Sequence, residues 1–488
     1  MKIMKTNRII IVILFYQNLF GQLSVSNLFD YQLGNLPGQE PSNLTTHFDQ
    51  LTMSYRYNDF LLHGRFEHFQ NADQSISFDK VSQWSLAFHR EEIKLVVGHF
   101  YQIFGRGLLL RTYEIPGVIQ EQASFRTRYG YYRDIQGVRL NYSTNWLDLT
   151  VLRGRALRED LPPTVSNDFR RENLIEGAQA NFYLAEWTLT GIYIRQHQQD
   201  LSREFSSLAL AVNLPLNIQF YTEYARQLKQ AEKYFDLSNK TTHALYTSMN
   251  IILGPAGVSL EYKDYNDFFL GFNDPPPLVK EHEYLLLNRS THNLEPFNER
   301  GWQCELFLTA TEKLSLVANL SQAENKTSRN RFKYEEKFIE IGYYLSPDIT
   351  IKGFADLAQE DIRLEKNRYT YGLNVETAWL GGFATVVDLE YQDYQKMLTP
   401  SFQVINRLAG VTFSYAPDLS LGIIYEKTSD PAEIKSDWLG IYAGYQYNQQ
   451  HLLNLFYGSR RGGNACAAGV CYQVLPFEGI ELRLTSNL

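Results

Sequence analysis

The side chains of this chain that could do chemistry are mostly carboxylates at alternate positions. Asp148, Glu223, Glu261, Glu305, Glu340, Asp356, Glu376, Asp388 and Glu390 stand on the polar side of short runs in which apolar and polar residues take turns. Val258, Leu260 and Tyr262 interleave with Ser259, Glu261 and Lys263, and Val387, Leu389 and Tyr391 with Asp388, Glu390 and Gln392. Fewer cations share those faces: Arg56, Lys94, Arg139, Lys263 and Lys352. Around an open aqueous space such an excess of carboxylate would favour cations. The plainer reading is a mutually paired, water-filled wall without selectivity.

A second group is basic. Arg106 and Arg111 lie in the stretch Phe104–Glu114, followed by Arg126, Arg128 and Arg133. Gly105 and Gly107 hint at a dinucleotide fingerprint, but Leu110 holds the third glycine position and no βαβ pattern surrounds it. The arginines suit a structured surface loop tied down by ion pairs. Sharper alternatives are an inward-folded constriction loop, or a surface patch for anionic lipopolysaccharide. Cys466 and Cys471 enclose Ala-Ala-Gly-Val, flexible enough for a small disulfide loop in an oxidising compartment. Cys304, between Trp302 and Leu306 on an apolar face, reads as a small hydrophobe.

Metal and catalytic readings are weak. The segment Tyr265–Arg300 carries Asp267, Asp274, Glu281, Glu283, Glu295 and Glu299 with His282 and His292, but without EF-hand spacing, so no metal or other cofactor is expected. No H-E-x-x-H, G-x-S-x-G or phosphate-loop motif occurs, and no catalytic residue is nominated. His63 and His68 differ by an odd number and face opposite ways on a regular strand. The net charge of -8, with no basic tail, disfavours nucleic acid as a partner.

The elements that must position these side chains are strands. A period of two puts apolar residues on one face and polar ones on the other. Lys2, Lys5 and Arg8, then the apolar Ile9–Leu19 and the small Gly21, form a secretory signal over residues 1–22, cleaved near Gly21/Gln22. After it no run approaches the ~18 apolar residues of a membrane-spanning helix. Mean hydropathy is -0.32, usually a soluble value, but a barrel can have it because half of each strand faces water. Aromatics make up 14% of the chain, enough to furnish interfacial girdles.

Connections alternate in length. Ser143–Asn145, Pro215–Asn217, Gly254–Gly257, Ser346–Asp348, Gly381–Gly382, Pro417–Asp418 and Asn448–Gln450 are tight. Ile103–Asp134, Arg155–Asn173, Leu228–Thr241, Tyr265–Arg300, Gln322–Tyr334 and Gly458–Glu478 are long and polar. This rhythm predicts a single large antiparallel transmembrane β-barrel over residues 23–488, with about 24 strands (roughly 20 to 26), short periplasmic turns and long surface loops. Leu23–Gln32 is its first strand. Gly479–Leu488 closes it and carries the signal for the barrel-assembly machinery.

Three stretches, FGRGLLLRTYE (Phe104–Glu114), KEHEYLLLNRSTH (Lys280–His292) and RRGGNACAAGVC (Arg460–Cys471), together resemble an uncharacterised family of predicted bacterial outer-membrane β-barrels. The resemblance implies a fold and a location in the outer membrane, among its lipid and lipopolysaccharide, and no established activity. The expected function is a passive pore for small solutes or ions. The alternatives are a plugged barrel serving as a structural or surface-interaction platform and, behind it, a barrel-embedded hydrolase. Oligomeric state is not legible.

Overall fold

In the computed structural model the described residues are 21–72, 77–123, 126–157, 173–198, 201–228, 234–237, 241–273, 275–276, 280–292, 298–326, 330–467 and 470–488. The segment expected to be a signal, before residue 21, and Asp274, Pro277, Glu295 and most of Arg155–Asn173 lie outside them.

Twenty-four antiparallel strands form one sheet that closes on itself. The first strand, Gln22–Asn35, pairs with Thr45–Tyr57 on one side and with the last strand, Phe477–Asn487, on the other. Both lie where the alternation places them. Closure is what lipid demands, since an open edge would leave backbone donors and acceptors without water. At the seam Gly34 sits opposite Gly479, both with positive φ, and a Cβ on either would strike the backbone of the neighbouring strand.

Every tight connection named above lies at the end of the barrel that carries the chain termini, and every long one at the opposite end. The segment Gln322–Tyr334 is the exception in length. Most of it is strand, with Leu314–Lys326 and Arg331–Ser346 paired as far as Lys326↔Arg331. Its outward residues Glu324, Lys333 and Glu335 are polar and read like a loop; we place them above the lipid belt.

Lower on the wall the outward face is apolar, with exposed Leu189, Leu208, Leu373, Leu389, Leu421 and Ile423. Near the turns it becomes aromatic, with Tyr57, Phe60, Trp146, Trp187, Trp379, Phe383 and Tyr447 exposed. That is the belt and girdle of a lipid-embedded barrel. Cys304 lies on this outward face and is free.

The core is inside the lumen. Three connections expected at the surface fold inward, and they contain the remaining secondary structure among the described residues. Residues 101–134 form two ribbons, Ile103–Phe104 with Leu110–Arg111 and Tyr113–Gln122 with Thr127–Arg133. Residues 267–292 include a short helix, Leu285–Arg289. Residues 461–476 form the ribbon Gly463–Ala467 with Val470–Val474, closed by the disulfide Cys466–Cys471 (S–S 2.09 Å).

Candidate functional site: the plugged lumen

The first inward segment docks on an unexpectedly apolar stretch of wall. Leu152, Ile175, Ile192 and Ile194 occupy inward positions and pack with Phe104, Leu108, Leu109 and Leu110, all four of these fully buried. A Gly-Leu-Leu-Leu run cannot stay in water when apolar wall lies within reach, so the segment folds in and not out. Its glycines are turn residues with positive φ; a Cβ on Gly105 would meet the Glu223 carboxylate.

The arginines of this segment are therefore anchors and not a surface patch. Arg128 is buried and paired with Asp30. Arg126 is buried too, paired with Glu121 and donating to Asn35 (2.8 Å) and Gln32 (2.9 Å). Arg106 donates its backbone N–H to Glu223 (3.0 Å) and lays its guanidinium over Tyr221. Arg111 donates its backbone N–H to Asn273 (2.5 Å), and its guanidinium lies near Tyr113; Arg133 is buried against Tyr131. Two of these anchors converge on the closing seam, where Arg483 also pairs with Asp30 (2.8 Å) and Arg460 with Glu481 (2.9 Å). An apolar run demands burial and buried guanidiniums demand partners, and the wall supplies both.

The second segment interlocks with the first and then crosses to the opposite wall. Phe268, Leu270 and Phe272 join the same apolar cluster, and Asn273 donates to the carbonyls of Gly107 (3.0 Å) and Leu108 (2.7 Å). From Lys280 on, the polar contacts are mainly to wall carboxylates, while Leu286 and Leu287 are buried, Leu287 in a cluster with Phe338 and Phe354. Lys280 pairs with Glu305. His282 Nε2 lies 3.0 Å from Glu336. The Tyr284 hydroxyl donates to Glu340 (2.8 Å) while its ring stacks on Phe354. Burial and Glu340 raise the Tyr284 phenol above its ordinary pKa, so it remains a donor. Glu390 accepts the backbone N–H groups of Leu285 (2.9 Å) and Leu286 (2.8 Å), opening the short helix. Arg289 pairs with Glu426, and His292 Nδ1 with Glu360 (2.8 Å).

The third segment closes the remaining gap. The Cys466 N–H donates to Asn288 (3.1 Å), Arg461 pairs with Glu426 (3.1 Å) and Glu433 (2.8 Å), and Tyr472 packs on Tyr131 of the first segment.

All nine wall carboxylates nominated above occupy inward positions. Glu223, Glu305, Glu340 and Glu390 are plug-docking groups. Asp388 accepts from Asn374 (2.6 Å) and Glu261 is bonded to Tyr246. Asp356 is buried, with no hydrogen-bond partner on either oxygen. Asp148, bonded by the Ser143 hydroxyl (3.1 Å), and Glu376 lie near the turns and reach water. The lumen is thus filled at the loop end and wet at the turn end.

The described wall is also two-faced. Between Ile218 and Thr428 the inward charges include Glu223, Glu261, Glu299, Glu305, Glu336, Glu340, Asp356, Glu360, Glu365, Glu376, Asp388, Glu390 and Glu426, against Lys263, Lys352, Arg368 and Lys396. On the other side Arg56, Arg65, Lys80, Lys94, Arg139, Arg460 and Arg483 outnumber Asp30, Glu67, Asp148 and Glu481. Composition did not single out Glu336, Glu360 and Glu426 as site residues. The usable signal was position, since Glu336 shares a strand face with Glu340.

The histidines bear on catalysis. His63 faces the lumen, 3.0 Å from Ser54, while His68 faces outward against His47 and Asp79. The groups around the His63 ring include Arg65, Glu114 and Gln83.

Fold and site together define a closed, lipid-faced β-barrel whose own loops plug its lumen. The chain belongs to DUF6029, a family of unknown function, whose sequence model matches residues 9–360. No curated protein matches it in sequence. In fold it is similar to the E. coli P pilus tip assembly intermediate PapC-PapD-PapK-PapG, with TM-score 0.53 and 10% identity, over 96% of this chain and 61% of that one. It is also similar to the P pilus usher (PapC) translocation pore, with TM-score 0.47 and 9% identity, over 96% and 99%. Against Pseudomonas aeruginosa OccK3 (OpdO) the TM-score is 0.41 and the identity 12%, over 70% and 91%. These likenesses are of fold.

Proposed function

We propose that this chain is an outer-membrane channel for small solutes or ions, exported with a cleaved signal peptide and held shut at its outer mouth by its own loops. Outer-membrane lipid and lipopolysaccharide surround its belt, and the barrel-assembly machinery inserts it through the closing strand. The observation that carries this reading is the asymmetry of the plug. One part, residues 101–134 with 267–273, is bound by a large apolar core; the other, Lys280–His292, buries only a small apolar patch around Tyr284, Leu286 and Leu287 and otherwise meets the wall through carboxylates. Contacts of the second kind can be exchanged for water at modest net cost, about 0.5–1.5 kcal/mol per neutral hydrogen bond and roughly twice that for charged ones. Displacing that segment would open a passage along the acidic wall.

The test is current across a planar bilayer. Wild-type protein should be almost silent. A variant with residues 280–292 replaced by a Gly/Ser linker should conduct, with a reversal potential favouring cations that falls when Asp388→Asn and Glu390→Gln are added. A folded linker variant without current would favour the second reading, a plugged structural platform, which the buried Leu108–Leu110 run supports on its own.

A further inference from the structure

We infer that the acidic wall is a binding site for a basic peptide that enters extended and ends in a helical turn, and that in this structure the chain's own segment Lys280–Arg289 occupies it, extended over Lys280–Tyr284 and helical over Leu285–Arg289. The inference deepens the channel reading by naming a ligand class for the same lumen. The site itself needs only the wall.

The segment is bound as a peptide would be. Lys280, His282 and Tyr284 reach Glu305, Glu336 and Glu340, which is every second side chain. Glu283 between them has a side chain 86% exposed, with Lys352 at 3.9 Å its nearest cation. Such alternation is how an extended chain meets one surface. The backbone is read as well. Glu390 takes two successive N–H groups, and Arg363 donates to the carbonyls of Arg289 (2.9 Å) and Thr291 (2.8 Å). A free amine or a metal ion offers no such backbone. Phe338 and Phe354 make an apolar floor under Tyr284.

Charge sets the preference. The segment's basic side chains, Lys280, His282 and Arg289, all end on carboxylates. The resident segment also leaves part of the site unused. Asp356 is only 2% exposed, yet neither of its oxygens has a hydrogen-bond partner. It lies opposite Phe338 in the strand ladder, beside the floor that the segment covers. Asn319, opposite Phe338 on the other side, is fully buried and has both amide atoms unpartnered. Buried polar groups without partners are costly. A ligand with more donors than the resident segment would satisfy them, so a more basic peptide should bind better than the one in place.

The test uses the full chain with residues 280–292 replaced by a Gly/Ser linker, in nanodiscs, and fluorescent synthetic peptides followed by anisotropy. The first peptide has the sequence Lys280–His292. In the second, Glu281 and Glu283 are changed to Lys; in the third, Lys280 and Arg289 are changed to Glu. The expected order of affinity is second, first, third. Binding should weaken about tenfold or more on Glu426→Gln or Glu305→Gln, the loss of one charged hydrogen bond. A folded linker variant that binds none of them, or binds the acidic peptide equally well, overturns the inference. Should the linker variant fail to assemble, the same titration is made on Lys280→Ala/Arg289→Ala, which keeps the segment and loosens it, with the same two outcomes. Bilayer current from the linker variant separates the two readings. Peptide binding without current removes the channel and leaves the site; current without peptide binding does the reverse.

Discussion

Glu390→Gln is the most direct way to ask whether wall carboxylates hold the plug. The carboxylate is buried, and its two oxygens take the N–H groups of Leu285 (2.9 Å) and Leu286 (2.8 Å). Glutamine keeps the shape but presents one oxygen and one NH₂, so one amide donor of the segment faces another donor. A hydrogen bond to a charged group contributes about 1.5–3 kcal/mol net. With a value near 2 kcal/mol, and tenfold per 1.4 kcal/mol, the undocked population should rise about 30-fold. Hydrogen exchange read by mass spectrometry over Leu285–Arg289 reports that population, because local opening limits exchange there. The amides of the neighbouring strand, Phe383–Lys396, should keep their protection. Glu376→Gln, at the wet end of the lumen, should leave the segment unchanged. Unchanged exchange over Leu285–Arg289 in a fully assembled Glu390→Gln barrel would refute the idea that the wall holds the segment through this carboxylate.

Three further outcomes are expected. Deleting Gly479–Leu488 removes most of the last strand's pairings with both Gln22–Asn35 and His451–Arg460, leaving two unpaired edges in lipid, so heat-modifiable migration on gels and recovery in outer-membrane fractions should both be lost. Cys466→Ser/Cys471→Ser opens a loop of sequence separation 5, which should cost about 2 kcal/mol or less and speed exchange over 463–474 without lowering the melting temperature of the barrel appreciably. Burial opposes the charge on His292, but Glu299 and Glu360 outweigh it and raise its pKa above 6.5, with Lys263 behind Glu299, Arg363 behind Glu360 and the Tyr334 ring stacked on the imidazole. Because the folded value is the higher one, this stabilisation is full below about pH 6.5 and is lost as pH rises through the folded value. Open probability in the bilayer should therefore rise toward alkaline pH, and a profile unaltered by His292→Gln would count against that role.

The strands were legible because lipid and water impose a strict period of two. Glu390 and Asp388 point inward because Leu389 and Tyr391 must point outward, and no tertiary knowledge was needed to see it. The seam was legible for the same reason. The plug was not. Phe104–Glu114 shows an apolar run among arginines, which as a sequence suits a surface loop or an inward one equally. Only the apolar inward positions Leu152, Ile192 and Ile194 decide between them, and in their own strands they read as departures from alternation. The surface-patch alternative for these arginines fails on the same point, since the partners of Arg126 and Arg128, namely Asp30, Gln32 and Asn35, lie 91 to 98 positions away. A pairing across that separation leaves no local pattern.

On the proposed channel reading, the two faces of the lumen would fix one part of the plug and let another leave. On the side of Leu152 and Ile194 the plug is held by burial. Leu108, Leu109 and Leu110 are each fully covered, and burying a leucine contributes roughly 1.5–3 kcal/mol that no aqueous competitor can replace. On the side of Glu305 and Glu426 the buried apolar patch is smaller, Leu286, and Leu287 beside Phe338 and Phe354, and the rest of the plug is held by groups that water, salt or another chain of donors can substitute. The same carboxylates that fasten the segment would line the passage once it departs, since Lys280, His282 and Arg289 leave with it. On that proposal the closed state would hide the selectivity of the open one. The wall looks neutralised when plugged and strongly acidic when open, so the charge that a permeating ion meets cannot be judged from the paired charges of the closed lumen.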